Sequence, residues 1–484
     1  MQLLFLSINS MKDICDSKMS FQDCELAILR AAVDTAEETQ GRKSANSPEI
    51  KKIIGIVENE LKKGKAICYG GTAINNILPK QDQFYNKDLE IPDYDYFSYQ
   101  ALENAKELVD IYIANGFEEV EAKAGQHHGT FKVFVNFIPV ADITSIPKEL
   151  FNAIKKEAIR VGGILYAPPN YLRMGMYLEL SRPAGDVSRW EKVLKRLSLL
   201  NKHYPLSGKQ CAKINFQRQM ADSKKADEIY DNVQHTLIDQ GIVFFGGYAL
   251  SMYSQYMPKH LQRKLEKIPD FDILSEDPLL TAQIVKERLA DINVKNVKII
   301  KRPGVGEIIA PHYEIKVGSD TVVFIYEPLA CHSYNIVKQD GYDVKIATID
   351  TMLSFWLAFL YASRPYYDKD RILCMSSFLF DVQEKNRLEQ KGLLKRFSIN
   401  CMGHQETVEE MRAEKASKYA ELKNVKKGPE YDEWFLRYRP NDIKEEKTTH
   451  KSQNRSQGPV KKSRKSSRKK HRKTRKRSWR LFKG

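Results

Sequence analysis

Cysteine is sparse in this chain and shows no pattern: seven residues among 484, scattered singly. Neither Cys331-His332 nor Cys401-Met402-Gly403-His404 has the paired spacing of a zinc site. Structural zinc is therefore not expected, and free thiols in a reducing compartment are. Long apolar runs are missing too. MQLLFL at the start and WLAFLYA at Trp356–Ala362 fall far short of the ~20 residues that cross a bilayer. MQLLFL also lacks the basic flank of a signal segment, so a soluble, intracellular protein is expected. Acid is absent from residues 461–484, which carry 14 Lys or Arg and leave the rest of the chain near +2 out of a net +16. Such a segment cannot bury a core. It reads first as a salt-sensitive phosphate binder, with a nuclear address as the alternative. Trp479, Leu481 and Phe482 offer rings or apolar surface for a base or a partner, or are stray aromatics on a solvated tail.

What is present points to phosphate chemistry. Gly70 and Gly71, in CYGGTAINNIL, follow an apolar run and precede a helix-like one. A strand–turn–helix junction without Cβ atoms lets backbone N–H groups approach a phosphate. Downstream, Asp93 and Asp95 in IPDYDYFS stand at i and i+2, so in a strand both side chains leave the same face. Like charges held together need a cation between them, and a hard divalent ion such as Mg²⁺ takes carboxylate oxygens and leaves positions for phosphate. The run FKVFVNFIPVAD reads as one strand closing on Asp142, a third carboxylate for the same spot.

The pattern occurs twice. IVFFGGYALSMY and IPDFDILS, from Ile242 and Ile268, repeat AICYGGTAINNI and IPDYDYFS at an offset of 176 to 177 residues. Asp270 and Asp272 correspond to Asp93 and Asp95. Helix-like runs precede both units, at 48–63 and 222–240, and Ser-Arg-Pro recurs at Ser181–Pro183 and Ser363–Pro365. Two copies of one α/β module are expected. Setting IPVADIT against EPLACHS puts Cys331 opposite Asp142, with about a dozen extra residues around KNVKIIKRPGVG on the tolerance of loops to insertion. A thiol is a poor Mg²⁺ ligand, so chemistry is assigned to the first copy and a scaffold role to the second.

These motifs resemble the polymerase-β-like nucleotidyltransferases. The duplicated form with YGGTAIN and PDYDYFS resembles the poly(A) polymerase catalytic subunits of large cytoplasmic DNA viruses, of poxvirus, asfarvirus and mimivirus type, over roughly residues 49–438. Thr72 follows the glycine pair where many relatives have serine, and the stretch from Gly71 to Asp93 is longer than usual. The resemblance implies an α/β (α+β) fold of two tandem modules, the second degenerate, with helical segments and a disordered basic tail. It implies AMP transfer from ATP to an RNA 3′ end, with two Mg²⁺ or Mn²⁺ ions on Asp93, Asp95 and Asp142, and phosphates on Gly70, Gly71 and Thr72. Its partners would be the RNA 3′ end and ATP, with a homodimer or a separate processivity subunit and no membrane. The expected location is the host cytoplasm, with virion packaging or the nucleus open. A uridylyl or CCA-adding transferase, or a catalytically dead RNA-binding scaffold, stays as the alternative.

The expected segments are 1–46, helical; 47–205, the catalytic module; 206–440, the degenerate module with a helical extension; and 441–484, the basic tail. Gln40–Pro48, QGRKSANSP, reads as a linker. Arg189–Tyr204 reads as a basic amphipathic helix with Trp190, Val193, Leu194, Leu197 and Leu200 inward. Lys192, Lys195 and Arg196 then face solvent or, alternatively, triphosphate or RNA. MYLEL and FWLAFLY read as core. His127 and His128 read as turn residues.

Overall fold

The repeat in sequence is a repeat in space. The computed structural model describes residues 14–15, 18–216, 220, 223–262, 271–425 and 428–441. Residues Met1–Tyr438 form one unit and Arg439–Gly484 another; the basic tail and Asp270 lie outside the described residues.

The first module begins with α1 (Phe21–Ala45) and α2 (Pro48–Lys62). In α2 Ser47 caps the N-terminus, Pro48 opens the first turn, and Ile50, Ile53, Val57 and Leu61 are buried at helical spacing. Then come β1 (Ile67–Cys68), α3 (Gly70–Ile77), β2 (Tyr94–Ser98), α4 (Ala101–Ala114), β3 (Val120–Ala124), β4 (Thr130–Val135), β5 (Ile138–Ser145), α5 (Lys148–Glu157), β6 (Ile159–Val161), β7 (Ile164–Tyr166), α6 (Pro169–Leu180) and α7 (Trp190–His203). The second module follows the same plan. It comprises α8 (Ser223–Asp239), β8 (Val243–Phe244), α9 (Gly247–Ser254), β9 (Phe271–Leu274), α10 (Pro278–Asp291), β10 (Val297–Arg302), β11 (His312–Val317), β12 (Asp320–Tyr326), β13 (His332–Gln339), β14 (Tyr342–Ala347), α11 (Ile349–Phe359) and α12 (Lys369–Lys385).

Strand order makes the duplication explicit. The first sheet runs β3-β4-β5-β2-β1-β7-β6 and the second β10-β11-β12-β9-β8-β14-β13. Pair by pair the directions agree, with β2–β5 and β1–β7 parallel like β9–β12 and β8–β14. The chain then adds β15 (Cys401–Met402) beside β13, forms α13 (Val408–Leu422) and α14 (Pro429–Phe435), and returns to the first sheet. There β16 (Arg437–Tyr438) pairs with β3. Between the modules α6 packs on α11, every residue of which is buried. Tyr171 meets Tyr361 edge-on at 5.2 Å, and one apolar cluster runs through both sheets. MYLEL and FWLAFLY are core, as expected.

Four expectations fail. FKVFVNFIPVAD is a hairpin, not one strand: Asn136 and Phe137 take φ of 50° and 65° and turn β4 into β5. Asp142 is thus mid-strand. Phenylalanine at positive φ is an uncommon turn residue, which hid the break. Gln40–Pro48 is not a linker, because α1 continues to Ala45 and leaves only Asn46 and Ser47 before α2. Within this helical run Gly41 lies against the Leu89 carbonyl, where a Cβ would sit 2.6 Å away, so the position needs glycine. The thiols are not free: Cys15–Cys24, Cys211–Cys374 and Cys331–Cys401 are disulfides, and Cys68, buried in β1, is the free one among the described residues.

The fourth concerns Cys331. In the paired strands Asp95 lies opposite Asp142, whereas Asp272 lies opposite Phe324. Phe324, 182 residues after Asp142, is therefore its counterpart. The insertion is about five residues, in the loop 303–311, rather than a dozen. Among the described residues no helix is long and apolar enough to cross a membrane.

Candidate active site

Asp93 ends the loop that enters β2, and Asp95 is the second residue of that strand. β1 and β5 flank β2, so Asp95 lies between the glycine turn on one side and Asp142 on the other. The turn is built against the carboxylate. Tyr69 donates its N–H to the Asp95 carbonyl at 2.9 Å. Gly70 takes φ +70°, and a Cβ there would stand 2.7 Å from Asp95 Oδ2. Both facts demand glycine. Thr72 Oγ1 donates to the Asp93 carbonyl at 2.8 Å. That hydroxyl therefore ties the aspartate loop to α3 rather than standing free for phosphate.

Burial raises the Asp93 carboxyl, with Asp142 adding to the effect and Lys132 opposing it. The Asp95 carboxyl is pushed up to about 7 by burial first, then by Asp93 and Asp142. This is the behaviour of carboxylates that share one place. Lys132 is opposite Asp142 in the β4–β5 ladder, and its ammonium pairs with Asp142 Oδ2. The other oxygen, Asp142 Oδ1, is buried without a hydrogen-bond partner. Among the described residues no three His, Cys, Asp or Glu side chains close into a metal cage, and Lys132 supplies the local positive charge. The residues nonetheless suit a divalent ion. Their donors are all carboxylate oxygens, Lys132 relieves only part of the repulsion among them, and Asp142 Oδ1 lacks the partner that buried oxygens ordinarily have.

Sequence reasoning left Arg196 undecided between solvent and ligand, and its surroundings are specific. The Arg196 guanidinium sits 4.7 Å from the Phe84 ring centre and donates to the Tyr85 hydroxyl at 2.7 Å. At Gly71 a Cβ would lie 2.6 Å from that hydroxyl and 2.8 Å from Arg196 Nη1. Buried Asn75 fixes the loop by accepting from both the Phe84 and Tyr85 N–H groups at 2.8 Å. Arg196 thus stands over the glycine turn without a salt bridge among the described residues, its charge felt at longer range by Glu179. Lys195, in contrast, pairs with exposed Glu191 at 2.6 Å. The cleft beside the turn, about 190 Å³, is lined by Gly71, Thr72, Tyr85, Asp93 and Asp95 among others. His127 and His128 are exposed turn residues, and the His128 ring lies tilted against Trp434, with ring centres 4.2 Å apart.

The second module keeps the frame but differs at the position of the third carboxylate. Phe245 donates to the Asp272 carbonyl at 2.9 Å, as Tyr69 does to Asp95, and a Cβ at Gly246 would collide with the Asp272 carboxylate. At the third position Phe324 is fully buried and stacks on Tyr366 at 5.1 Å. Glu314 takes the ladder position of Lys132 and is held by Arg302 at 2.9 Å. A ring thus stands at the Asp142 position and an acid at the Lys132 position.

Comparison with known proteins finds similarity in the first module. Residues 55–186 match the family described as Poly(A) polymerase catalytic subunit. A candidate poly(A) polymerase catalytic subunit of African swine fever virus (strain Badajoz 1971 Vero-adapted) is 34% identical over 171 residues, 34% of this chain and 36% of that protein. Its counterpart in Acanthamoeba polyphaga mimivirus is 30% identical over 164 residues, 33% of this chain and 27% of that one. The matches thus span about a third of the viral relatives' length. The crystal structure of the Megavirus polyadenylate synthase shares the fold, with a TM-score of 0.73 over 92% of both chains at 18% identity. The glycine turn and all three aspartates fall within residues 55–186, so the first module carries the poly(A) polymerase catalytic-subunit signature.

Proposed function

We propose that the chain is a template-independent poly(A) polymerase catalytic subunit, extending RNA 3′ ends with AMP from ATP and releasing pyrophosphate. The observation that carries this reading is the convergence of Asp93, Asp95 and Asp142 beside a glycine turn topped by Arg196, which forms no salt bridge among the described residues. In the reaction the RNA 3′ oxygen bonds to the α-phosphorus of ATP. The bond from that phosphorus to the bridging oxygen breaks, the hydroxyl proton passes to solvent, and pyrophosphate leaves. Asp93, Asp95 and Asp142 would hold two Mg²⁺ or Mn²⁺ ions, which supply Lewis-acid activation of the hydroxyl and neutralise the triphosphate.

The chain's own residues do the positioning. Asp142 lies on the far side of Asp95 from the glycine turn, so the hydroxyl approaches on the β5 side and the leaving group faces the turn. Gly70 and Gly71 let the α3 backbone approach the phosphates. Arg196, propped by Phe84 and Tyr85, offers a fork of donors to the β- and γ-phosphates. The basic tail would hold the RNA backbone.

The test is extension of a short labelled RNA with Mg²⁺ or Mn²⁺ and one nucleotide at a time, beside Asp93→Ala. Long tails from ATP alone, absent in the variant, are expected. Tails from UTP, or from CTP and ATP together, would move the substrate to another terminal transferase. No extension with any nucleotide would contradict the enzyme reading.

A further inference from the structure

The catalytic cleft does not end at Tyr85. Beyond that ring it continues into a second, larger trough of about 850 Å³, framed by α2, the loop after α3 and the β6–β7 hairpin. Asn76, Tyr85, Asn86 and Lys87 line both spaces. Tyr85 therefore forms the waist between them, held from one side by Arg196 and from the other by Asn75. Asn76 is anchored across the trough by donating to the Tyr166 hydroxyl at 2.9 Å.

The trough carries cations without counterparts. Lys62, Lys80 and Lys87 line it, are exposed, and have no ion-pair partner among the described residues. Two carboxylates line it as well. Glu58 is engaged by the Tyr94 hydroxyl at 2.6 Å, and Asp88 is exposed. The lining is thus weakly positive and dense in amide and hydroxyl groups.

Its position relative to the aspartates gives it a direction. Across the sheet the order is Asp142 on β5, Asp93 and Asp95 at β2, the glycine turn after β1, then Arg196 and Tyr85, then the trough. In an in-line displacement the attacking and leaving oxygens lie on opposite sides of the phosphorus. With the hydroxyl on the Asp142 side, the leaving group emerges toward the turn and the trough behind it.

We propose that this trough is the exit path for inorganic pyrophosphate, with Lys62, Lys80 and Lys87 as its rail. The proposal rests on the nucleotidyl-transfer reading of the cleft. A conduit must attract its cargo and still let it go; three solvated lysines set against two carboxylates do both, where a buried arginine cluster would trap the ion. An RNA strand fits the trough less well, because its lining lies beyond the glycine turn from Asp142, where the hydroxyl is placed.

The experiment compares the wild type with Lys62→Ala/Lys80→Ala/Lys87→Ala and with the matching triple arginine variant. Three quantities are read: inhibition of AMP incorporation by added pyrophosphate, calorimetric binding of manganese pyrophosphate to the resting protein, and RNA affinity by fluorescence anisotropy. The alanine variant is expected to weaken both pyrophosphate measures about tenfold, at a few-fold per exposed lysine, with RNA affinity unchanged and arginine restoring both. Weakened RNA binding with intact pyrophosphate binding would overturn the proposal and make the trough an RNA groove. No change in any quantity would overturn it outright. A wild type that incorporates no AMP would sink the polymerase reading, and calorimetry alone would then decide for or against the trough.

Discussion

Replacing Asp95 by asparagine should make the metal-free protein more stable while destroying its activity. The Asp95 carboxyl is raised from 3.8 to about 7, by burial and by Asp93 and Asp142. The folded state therefore holds that proton more tightly than the unfolded chain does. Between about pH 4 and 7 the native protein binds more protons than the unfolded one, so stability falls as pH rises through that window. Above pH 7 the full penalty applies, roughly 4 kcal/mol for a rise of this size. Asparagine keeps the shape and removes the charge. The net rise already contains the attraction to Lys132 and Arg189, so, after allowance for burying the asparagine amide, a gain of about 1–4 kcal/mol at pH 8 is expected. For a chain this long that is roughly 1 °C in Tm per kcal/mol. The assay is thermal unfolding in chelator at pH 5 and pH 8. The advantage of the Asp95→Asn variant should be present at pH 8 and small at pH 5, and Mn²⁺ should raise the Tm of the wild type more than that of the variant. A variant no more stable than wild type at pH 8, or an advantage independent of pH, would refute the reasoning.

Two further substitutions test the turn. Gly70→Ala forces a side chain into φ +70° and against Asp95 Oδ2. It should lower stability by about 1–2 kcal/mol and AMP incorporation at least ~100-fold, read by melting curves and single-turnover extension; near-normal activity would mean that the close approach is unimportant. Arg196→Ala should raise KM for ATP about tenfold, with a smaller effect from Tyr85→Phe. An equal loss of affinity for AMP would contradict a contact to the outer phosphates.

The site was largely legible in the sequence because its determinants are local. Two glycines between a strand and a helix, and two aspartates at i and i+2, declare their geometry without tertiary context. The second copy made the module visible as a unit. What escaped depends on chain segments meeting at a distance. EPLAC imitates IPVAD in pattern, yet strand pairing puts Phe324, not Cys331, beside Asp272. The disulfides join residues 163 and 70 apart in two of three cases, which no spacing rule signals. Lys132 as the Asp142 partner, and Arg196 over Gly71, likewise follow from a ladder register and a helix packing that one sequence does not display. The return of β16 to β3, across a whole second module, carries no local mark at all.

The central claim is that one copy of the repeat does the chemistry and the other supports it. The most direct measurement is AMP incorporation into RNA by Asp95→Asn and Asp272→Asn side by side, both shown to be folded. The first should fall to background and the second should stay within a few-fold of wild type. Loss of activity in Asp272→Asn with the fold intact, or survival in Asp95→Asn, would contradict the account.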